Sequence, residues 1–159
     1  MGTGKTVVAK KLAKKLGMEY VSTDDLIEKK EGRLIKDIFA KDGEAYFREI
    51  ENKVVQEVSS KNSQVIDSGG GVILHQENTD ALKINGVIVC LGAKPETILR
   101  RTKGHKHRPL LNVPDPRSKI EKLLKSRAPF YAKADFSIDT SNRTIEEVVT
   151  QISGLVTKG

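Results

Sequence analysis

The sequence predicts an α/β protein, a three-layer sandwich in which helices flank a central parallel β-sheet. Two observations support this fold class. Short apolar runs alternate with longer segments of helical periodicity, an order typical of strands joined by crossover helices. Several of the apolar runs also lead directly into glycine-rich or acidic segments, as happens where parallel strands end beside a ligand.

The first segment, Gly2-Thr3-Gly4-Lys5-Thr6, matches the end of a phosphate-binding loop (P-loop) of the pattern G-x-x-x-x-G-K-[ST]. In such a loop, backbone N–H groups and the N-terminus of the next helix bind phosphate. Lys5 would add positive charge near the β- and γ-phosphates, and the Thr6 hydroxyl would bind Mg²⁺. The alternative is a glycine-containing tail before an ordinary helix, because the first glycine and the leading strand of the pattern would precede Met1.

A helix follows this segment, with an apolar stripe over Val7, Val8, Leu12 and Leu16 and a stop at Gly17. Four strands and six further helices are predicted beyond it. The strands are Tyr20-Val21, Ser63–Asp67, Val87–Leu91 and Phe136–Ile138. The helices are Asp24–Lys30, Leu34–Lys41, Gly43–Ser59, Pro95–Arg101, Pro116–Lys133 with a break near Pro129, and Ile145–Val156 with a capping box of Thr144 and Glu147.

The composition indicates a single domain over residues 1–159, with no run of apolar residues long enough for a membrane span. The net charge of +7 favours anionic partners, but aromatic residues make up only 4% and tryptophan is absent, so nucleic-acid bases have little to stack on. We therefore expect a monomer that binds small anionic metabolites, not nucleic acid or membranes. Cys90, the single cysteine, lies in an apolar run and is predicted to be a buried thiol of a cytoplasmic protein.

Two segments at predicted strand ends carry candidate site residues. In Ser22-Thr23-Asp24-Asp25, Thr23 can cap the following helix, and one of the two aspartates can face a ligand. Compensation of the helix dipole alone is the alternative for the acids. In Asp67-Ser68-Gly69-Gly70-Gly71, three consecutive glycines favour a close approach of backbone to ligand, and a tight turn is the alternative.

Basic side chains supply the remaining candidates. Arg48 lies in a helical pattern, where an ordinary surface arginine is the alternative, and Arg127 ends a helical turn. A basic, proline-bearing segment at about residues 102–117 is too long for a simple connection, so we expect a mobile lid that carries Arg108 over a transferring phosphoryl group. His105 and His107 in this segment lack the further ligands of a metal site.

Together these motifs resemble the shikimate kinase family over essentially the whole chain. The family pattern is G-x-G-K-[ST], D-T-D, F-R-x-x-E, G-G-G, R-P-L-L and R-x-P-x-Y. Each motif alone is weak, whereas six in one order and at compatible spacing are specific. The corresponding residues are Gly2–Thr6, Ser22-Thr23-Asp24, Phe47-Arg48-Glu49-Ile50-Glu51, Gly69-Gly70-Gly71, Arg108-Pro109-Leu110-Leu111 and Arg127-Ala128-Pro129-Phe130-Tyr131.

The resemblance implies a small P-loop kinase with a five-stranded parallel sheet, which transfers the γ-phosphoryl group of ATP, with Mg²⁺, to the 3-hydroxyl of shikimate in aromatic amino acid biosynthesis. It implies catalytic roles for Lys5, Asp24 and Arg108, with Asp24 helping to accept the hydroxyl proton. ATP would bind to Gly2, Thr3, Gly4, Lys5, Thr6 and Arg108, with Arg101 and Arg143 flanking the adenine. Shikimate would bind to Asp24, Arg48, Gly69, Gly70, Gly71 and Arg127, the two arginines gripping its carboxylate.

The chain departs from the family pattern in two places. Ser22 stands where the family has the first acid of D-T-D, which supports the Mg²⁺ site through water. We hypothesise that Asp67 supplies the missing carboxylate, and a weaker metal site is the alternative. The front of the phosphate-binding loop and the first, central strand would lie before Met1. We therefore expect a fragment or a start site assigned too late, destabilised as written and weak in ATP binding.

Two other functions remain open from the sequence. One is a different small-molecule kinase of the same fold, such as a gluconate or nucleotide kinase. The other is a non-catalytic, degenerate kinase domain. Arg48 and Arg127 together with the three glycines favour a carboxylated ring as the substrate. Ser22 and the missing strand favour the degenerate domain.

Overall fold

The structure is a computed structural model that describes residues 2–102 and 113–157. None of the helices within these ranges has the length and apolarity that crossing a membrane would need. The regular elements, in chain order, are α1 Lys5–Leu16, β1 Glu19–Ser22, α2 Thr23–Glu31, α3 Ile35–Ser59, β2 Gln64–Asp67, a 3₁₀ turn Val72–Leu74, α4 Gln76–Ile84, β3 Val89–Gly92, α5 Pro95–Thr102, α6 Pro116–Tyr131, β4 Phe136–Asp139 and α7 Ile145–Val156.

The strands pair in parallel, β1 with β2 and β3 with β4. Both pairs end in register, with Ser22 opposite Asp67 in one and Gly92 opposite Asp139 in the other. All four strands overlap the segments predicted from the sequence, and the α/β class with parallel strands is confirmed. Because the two strands of each pair end together, the residues that follow them lie at the same edge of that pair, where ligands bind in folds of this class.

The chain divides into two compact units, which are described separately. The first unit comprises Met1–Val8 and Ile88–Gly159, and the second comprises Ala9–Val87. The single domain expected over residues 1–159 and its lid at about 102–117 stay predictions. Residues 103–112, which include Arg108 and most of the expected lid, lie outside the described residues.

The second unit is organised around an apolar core to which α3 contributes most. Apolar residues recur along α3 at helical spacing, so one face of the helix is buried. Burial of each such side chain stabilises the fold by roughly 1.5–3 kcal/mol relative to exposure. The packing therefore fixes the position of α3, which also carries Arg48. The core residues are Val21, Ile27, Ile38, Phe47, Ile50, Val54 and Val58.

Helix α3 contains a kink at Gly43, where φ is 82° and ψ is 178°. This positive φ is a conformation that glycine adopts at little steric cost and other residues rarely adopt. The helices predicted over Leu34–Lys41 and Gly43–Ser59 correspond to the two segments on either side of the kink. The second helical segment begins at Gly43, one residue before Glu44, which is an ion-pair partner of Arg48. The kink is therefore close in sequence to the side chains that hold Arg48.

Helix α2 begins with Ser22 as its N-cap, so the prediction that Thr23 caps it is wrong. The Ser22 Oγ accepts a hydrogen bond from the Asp25 N–H at 3.1 Å. Thr23 is the first helical residue and is fully buried, with its Oγ1 3.5 Å from the Asp67 carbonyl oxygen. The physical reason is that β1 extends to Ser22, whose extended backbone is the conformation that an N-cap requires.

The first unit contains β3, β4 and the helices α5, α6 and α7. The predicted capping box is confirmed: Thr144 Oγ1 accepts from the Glu147 N–H at 3.2 Å, and Glu147 Oε2 accepts from the Thr144 N–H at 2.7 Å. Helix α6 runs through Pro129 to Tyr131, so the predicted break is wrong. A proline removes one backbone donor, so α6 continues past Pro129 with one helical hydrogen bond fewer.

Helix α4 has no counterpart among the elements predicted from the sequence. Two of the three side chains that it buries are polar, namely Asn78 and Thr79, and the third is Ala81. Polar residues on the buried face hide the apolar periodicity by which amphipathic helices are detected. The pattern of the sequence therefore gave no signal for a helix that holds the segment after the three glycines.

We expect Ser22→Ala to lower the free energy of unfolding by about 1 kcal/mol, because it removes the side-chain acceptor for the Asp25 N–H. Ser22→Asn is the matched control, since asparagine caps helices about as well as serine. Urea unfolding followed by circular dichroism measures both variants. An alanine variant as stable as the wild type would contradict the role of Ser22 as the cap.

Candidate active site

The phosphate-loop segment in the first unit has the backbone that its glycines permit. Gly2 and Gly4 have φ values of 64° and 86°, and α1 starts at Lys5. A Cβ atom on Gly2 would lie 2.9 Å from Thr102 Cγ2 and 3.0 Å from Ile98 Cγ2, so a larger residue does not fit. The Gly4 carbonyl accepts the first helical bond, from the Val8 N–H at 3.1 Å. The segment is therefore a tight turn packed on α5, not an unstructured tail.

Thr3 lies at the centre of this turn and is almost fully buried. Its carbonyl oxygen is 3.1 Å from Thr140 Oγ1, which donates to it from the segment after β4. Its own hydroxyl has no hydrogen-bond partner among residues 2–102 and 113–157. A buried hydroxyl without a partner costs about 1–3 kcal/mol, and the turn bears this cost at Thr3.

Three arginines that the sequence predicts as site residues lie in the described part of the first unit, and their environments differ. Arg101, near the end of α5, donates from Nη1 to Thr140 Oγ1 at 2.9 Å and from Nη2 to the Thr140 carbonyl at 2.8 Å. Arg143 is exposed and hydrogen-bonds to Gln151 on α7. Arg127 is half-buried in the last turns of α6. The contacts that the resemblance implies for them, with adenine and with a carboxylate, stay predictions.

The second unit brings three polar side chains together at the ends of β1 and β2. Ser22 and Asp67 are direct neighbours across the strand pair. The Tyr20 hydroxyl donates to Asp67 Oδ2 at 3.2 Å. Burial raises the pKa of Tyr20 to about 12, and the negative charge of Asp67 and the hydrogen bond to it add to the shift. The acid that the family pattern has at the end of one strand thus has a counterpart at the end of the neighbouring strand.

A buried ion pair on α3 holds Arg48 in place. The Arg48 Nη1 donates to Glu51 Oε2 at 2.6 Å, and Nη2 donates to Glu44 Oε1 at 3.0 Å. The side chain of Glu51 is only 1% exposed, and burial raises its pKa although the ion pair with Arg48 opposes that shift. Arg48 is thus a half-buried arginine with a fixed guanidinium, and the alternative of an ordinary surface arginine is wrong.

Two of the three glycines, Gly69 and Gly71, lie against charged side chains. A Cβ atom on Gly71 would be 2.5 Å from Arg48 Nη1, so only glycine leaves room for the guanidinium. A Cβ atom on Gly69 would be 3.4 Å from Asp24 Oδ1 and 3.5 Å from Glu51 Oε1, which is ordinary contact. Asp24, Arg48 and the glycine segment, predicted separately from the sequence, therefore form one cluster in the second unit.

Asn78 supports the turn that follows the glycines. It is fully buried, and its Nδ2 donates to the Val72 carbonyl at 3.2 Å. Its Oδ1 accepts from Asn52 Nδ2, on α3, at 2.9 Å. Both polar ends of this amide are thus satisfied, which a buried polar side chain requires. The bonds join the glycine segment to the helix that carries Arg48.

The sequence contained no sign of several of these residues' roles. Glu51 is part of a quoted motif, but its role as the buried partner of Arg48 follows only from the fold. Asn78 lies in a helix that was not predicted, and Thr140 contacts a residue 137 positions away. The spacing of Arg48 and Glu51 is the one sequence signal for this pair, because residues three apart on a helix are neighbours.

A metal ion bound to this chain would be held by oxygen atoms from a small number of side chains. Within the described ranges, no group of three or more His, Cys, Asp or Glu side chains is arranged to hold a metal ion. Mg²⁺ does not need such a group, since it commonly keeps several waters and binds to one or two carboxylates and to substrate phosphates. Thr6 has a hydroxyl oxygen in the first turn of α1, and Asp67 has a carboxylate at the end of β2; the use of either one for Mg²⁺ stays a prediction.

Comparison with known proteins identifies the family of this chain. A family model described as Shikimate kinase matches residues 1–156. The chain belongs to the shikimate kinase family. It is 49% identical over 152 residues to a shikimate kinase of Thermodesulfovibrio yellowstonii, which covers 96% of the chain and 88% of that relative. A shikimate kinase of Caldanaerobacter subterraneus subsp. tengcongensis is 48% identical over 152 residues, covering 96% of the chain and 89% of the relative.

A solved structure shows the same likeness. Shikimate kinase from Acinetobacter baumannii, solved in complex with shikimate, matches with a TM-score of 0.93 and 39% identity, covering 99% of this chain and 89% of that one. This member of the shikimate kinase family is therefore an α/β P-loop kinase, and membership implies ATP as a substrate. The binding of phosphate by Gly2–Thr6 stays a prediction.

The titration of Tyr20 tests the geometry at the strand ends without reference to activity. We expect Tyr20 to ionise near pH 12. Comparison with the variant Tyr20→Phe separates its signal from the signals of the other tyrosines. Asp67→Asn should lower the pKa of Tyr20, because it removes a negative charge and a charged acceptor. Absorbance of tyrosinate during an alkaline titration measures this. An unchanged Tyr20 titration in Asp67→Asn would contradict the contact.

The same shift has a defined effect on stability. The pKa of Tyr20 in the folded chain lies above the ordinary value of about 10. Its stabilising contribution is therefore fully present below pH 10 and is lost as the pH rises through about 12.

Proposed function

We propose that this chain transfers the γ-phosphoryl group of ATP to the 3-hydroxyl of shikimate. The single observation that carries the proposal is the cluster of Arg48, Glu51, Gly71 and Asp24, which offers a fixed guanidinium and an acid beside an open backbone segment. Shikimate is a small ring with a carboxylate and three hydroxyls. Its binding therefore needs a guanidinium for the carboxylate and an acid that accepts hydrogen bonds from the hydroxyls. Family membership supports the reaction class.

The carboxylate of shikimate is assigned to Arg48 and Arg127. A guanidinium presents a planar fork of donors that matches a carboxylate, and Arg48 is already oriented by Glu51 and Glu44. A side chain that is fixed before binding loses little conformational entropy when the ligand arrives. Gly69, Gly70 and Gly71 leave room for the ring to approach the backbone. These assignments rest on motif positions and on the contacts of Arg48.

The hydroxyl that reacts is assigned to Asp24. This exposed carboxylate lies in the first turn of α2 and against Gly69. It can accept a hydrogen bond from the diol of shikimate and the proton that leaves the attacking oxygen. Phosphoryl transfer needs mostly positioning and neutralisation of charge, so a single carboxylate is a sufficient base.

The phosphates of ATP are assigned to the loop in the first unit. Gly2, Thr3 and Gly4 supply backbone N–H groups, and Lys5 supplies positive charge at the first turn of α1. The tight packing at Gly2 and the unpartnered Thr3 hydroxyl fit a loop that completes its hydrogen bonds with a ligand. Arg101 and Arg143 are assigned to the adenine, and Arg108 to the phosphates.

Mg²⁺ is assigned to the Thr6 hydroxyl as a direct donor, with Asp67 acting through water. When bound, the ion neutralises charge on the phosphates during transfer. Asp67 replaces the acid that Ser22 lacks, and it is the direct neighbour of Ser22 across β1 and β2. The hydrogen bond from Tyr20 holds its carboxylate. We further infer a cytoplasmic monomer whose partners are small molecules and not nucleic acid.

A coupled assay of ADP release tests the proposed function against both alternatives. With shikimate present, ADP release should be many-fold faster than with ATP alone or with gluconate. Gluconate-dependent release would indicate another metabolite kinase of this fold. Binding of ATP without any turnover on shikimate would indicate a degenerate kinase domain.

Gly71→Ala should raise the KM for shikimate about tenfold or more and leave the KM for ATP little changed. The added methyl group would lie 2.5 Å from Arg48 Nη1 and displace a guanidinium whose charged hydrogen bond is worth about 1.5–3 kcal/mol. Gly154→Ala is the control for a glycine outside the cluster, because its methyl group would meet no atom within 4 Å. Similar KM values for both variants would contradict the role of Gly71 in seating Arg48.

Asp67→Asn should weaken the response to Mg²⁺, raising the Mg²⁺ concentration for half-maximal activity several-fold. Asparagine keeps the shape of the side chain but removes the charge that attracts water-bound Mg²⁺. Binding of Mg²⁺-ADP relative to free ADP, measured by calorimetry, gives a readout that does not need turnover. An unchanged Mg²⁺ requirement would contradict the proposal.

A second substitution shows whether the position of the acid matters. Ser22→Asp in the Asp67→Asn background places a carboxylate on the other strand of the same pair. It keeps the N-cap of α2, because aspartate caps helices about as well as serine. We expect it to restore most of the Mg²⁺ response. Ser22→Asn in that background is the control and should not.

A further inference from the structure

We propose that Thr140 is a positioning residue for nucleotide binding, whose buried hydroxyl sets the orientation of the phosphate loop at Thr3. The inference rests on the proposed binding of ATP to that loop. Thr140 directly follows β4 and is 3% exposed. The partners of its hydroxyl lie in the first unit and come from three separate segments of the chain: Arg101 on α5, Gly92 at the end of β3, and Thr3.

Arg101 determines how the Thr140 hydroxyl is used. A guanidinium carries only donors, so the bond of 2.9 Å between Arg101 Nη1 and Thr140 Oγ1 requires the hydroxyl oxygen to accept. The second bond, from Arg101 Nη2 to the Thr140 carbonyl, fixes the plane of the guanidinium. The single hydroxyl proton is then left for carbonyl oxygens. Those within reach belong to Thr3, at 3.1 Å, and Gly92, at 3.0 Å.

The bond to Thr3 has a consequence for the next peptide N–H. The peptide group that joins Thr3 to Gly4 is planar, and in a trans peptide its C=O and N–H point in opposite directions. Holding the Thr3 carbonyl toward Thr140 therefore directs the Gly4 N–H away from Thr140. Backbone N–H groups of this turn are the donors that a phosphate-binding loop presents to its ligand. The Thr140 hydroxyl thus presets one of them.

The turn after β4 does not need the Thr140 hydroxyl. Asp139 Oδ1 accepts from both the Ser141 N–H, at 2.8 Å, and the Ser141 hydroxyl, at 2.6 Å, and these bonds lower the pKa of Asp139. The Ser141 hydroxyl oxygen also accepts from the Lys94 N–H at 2.8 Å. The turn is therefore closed by its own side chains. The Thr140 hydroxyl is directed instead to Arg101, to the end of β3 and to the phosphate loop.

Calorimetric binding of ADP, inorganic tripolyphosphate and adenosine to the full chain tests the proposal. Thr140→Val, which keeps the shape and removes the hydroxyl, should weaken ADP and tripolyphosphate at least about fivefold, as loss of one hydrogen bond predicts. Adenosine binding should change less than twofold. Thr140→Ser should restore wild-type affinity for both phosphate ligands. Val148→Ala, which removes buried side-chain volume from α7 in the same unit, is the control for general destabilisation.

Three results would overturn the proposal: unchanged tripolyphosphate binding in Thr140→Val, an equal loss in Val148→Ala, or a wild type that binds neither phosphate ligand. If Thr140→Val does not fold, Arg101→Lys decides, because lysine lacks the fork that engages Thr140. Weaker binding of tripolyphosphate to Arg101→Lys would support the positioning role of Thr140, and unchanged binding would overturn it. A chain that binds ADP normally but shows no shikimate-dependent ADP release would contradict the proposed function and leave this inference supported.

Discussion

The buried carboxylate of Glu51 is the constraint on which the second unit depends most. Its side chain is only 1% exposed, and an ionised group at such a position needs a partner of opposite charge. Arg48 provides it at 2.6 Å, and the guanidinium in turn leaves no space for a side chain at Gly71. One buried charge therefore determines an arginine on α3 and a glycine after β2. Those two elements carry most of the groups assigned to shikimate.

The first unit uses a neutral hydroxyl for a comparable purpose. Thr140 is buried at the end of β4, and its one oxygen contacts a guanidinium and two carbonyl groups. In each unit a buried polar group fixes candidate site residues, Glu51 from α3 in one and Thr140 after β4 in the other. A buried polar group is stable only when its partners are in place, so these contacts demand definite positions from their neighbours. Apolar packing of α3 supplies stability, whereas the polar contacts supply orientation.

The sequence predicted which segments matter better than it predicted what each residue does. Asp24 and the glycines can be found in the sequence because they directly follow predicted strands, and Arg48 because it lies in a motif of the family pattern. The fold brings these residues together. Ser22 rather than Thr23 caps α2 because the strand is one residue longer than its apolar pattern, and such boundaries are hard to read. The roles of Glu51 and Thr140 depend on burial and on contacts between distant segments. Periodicity and short motifs contain neither kind of information.

The register of β1 and β2 also couples the residues that can stand at positions 22 and 67. Ser22 and Asp67 face each other, so a chain with aspartate at both positions would hold two like charges side by side, which disfavours ionisation of both. A chain with aspartate at neither position would have no acid at either strand end. Each position therefore conditions which residues natural selection tolerates at the other, and the two are expected to change together among descendants.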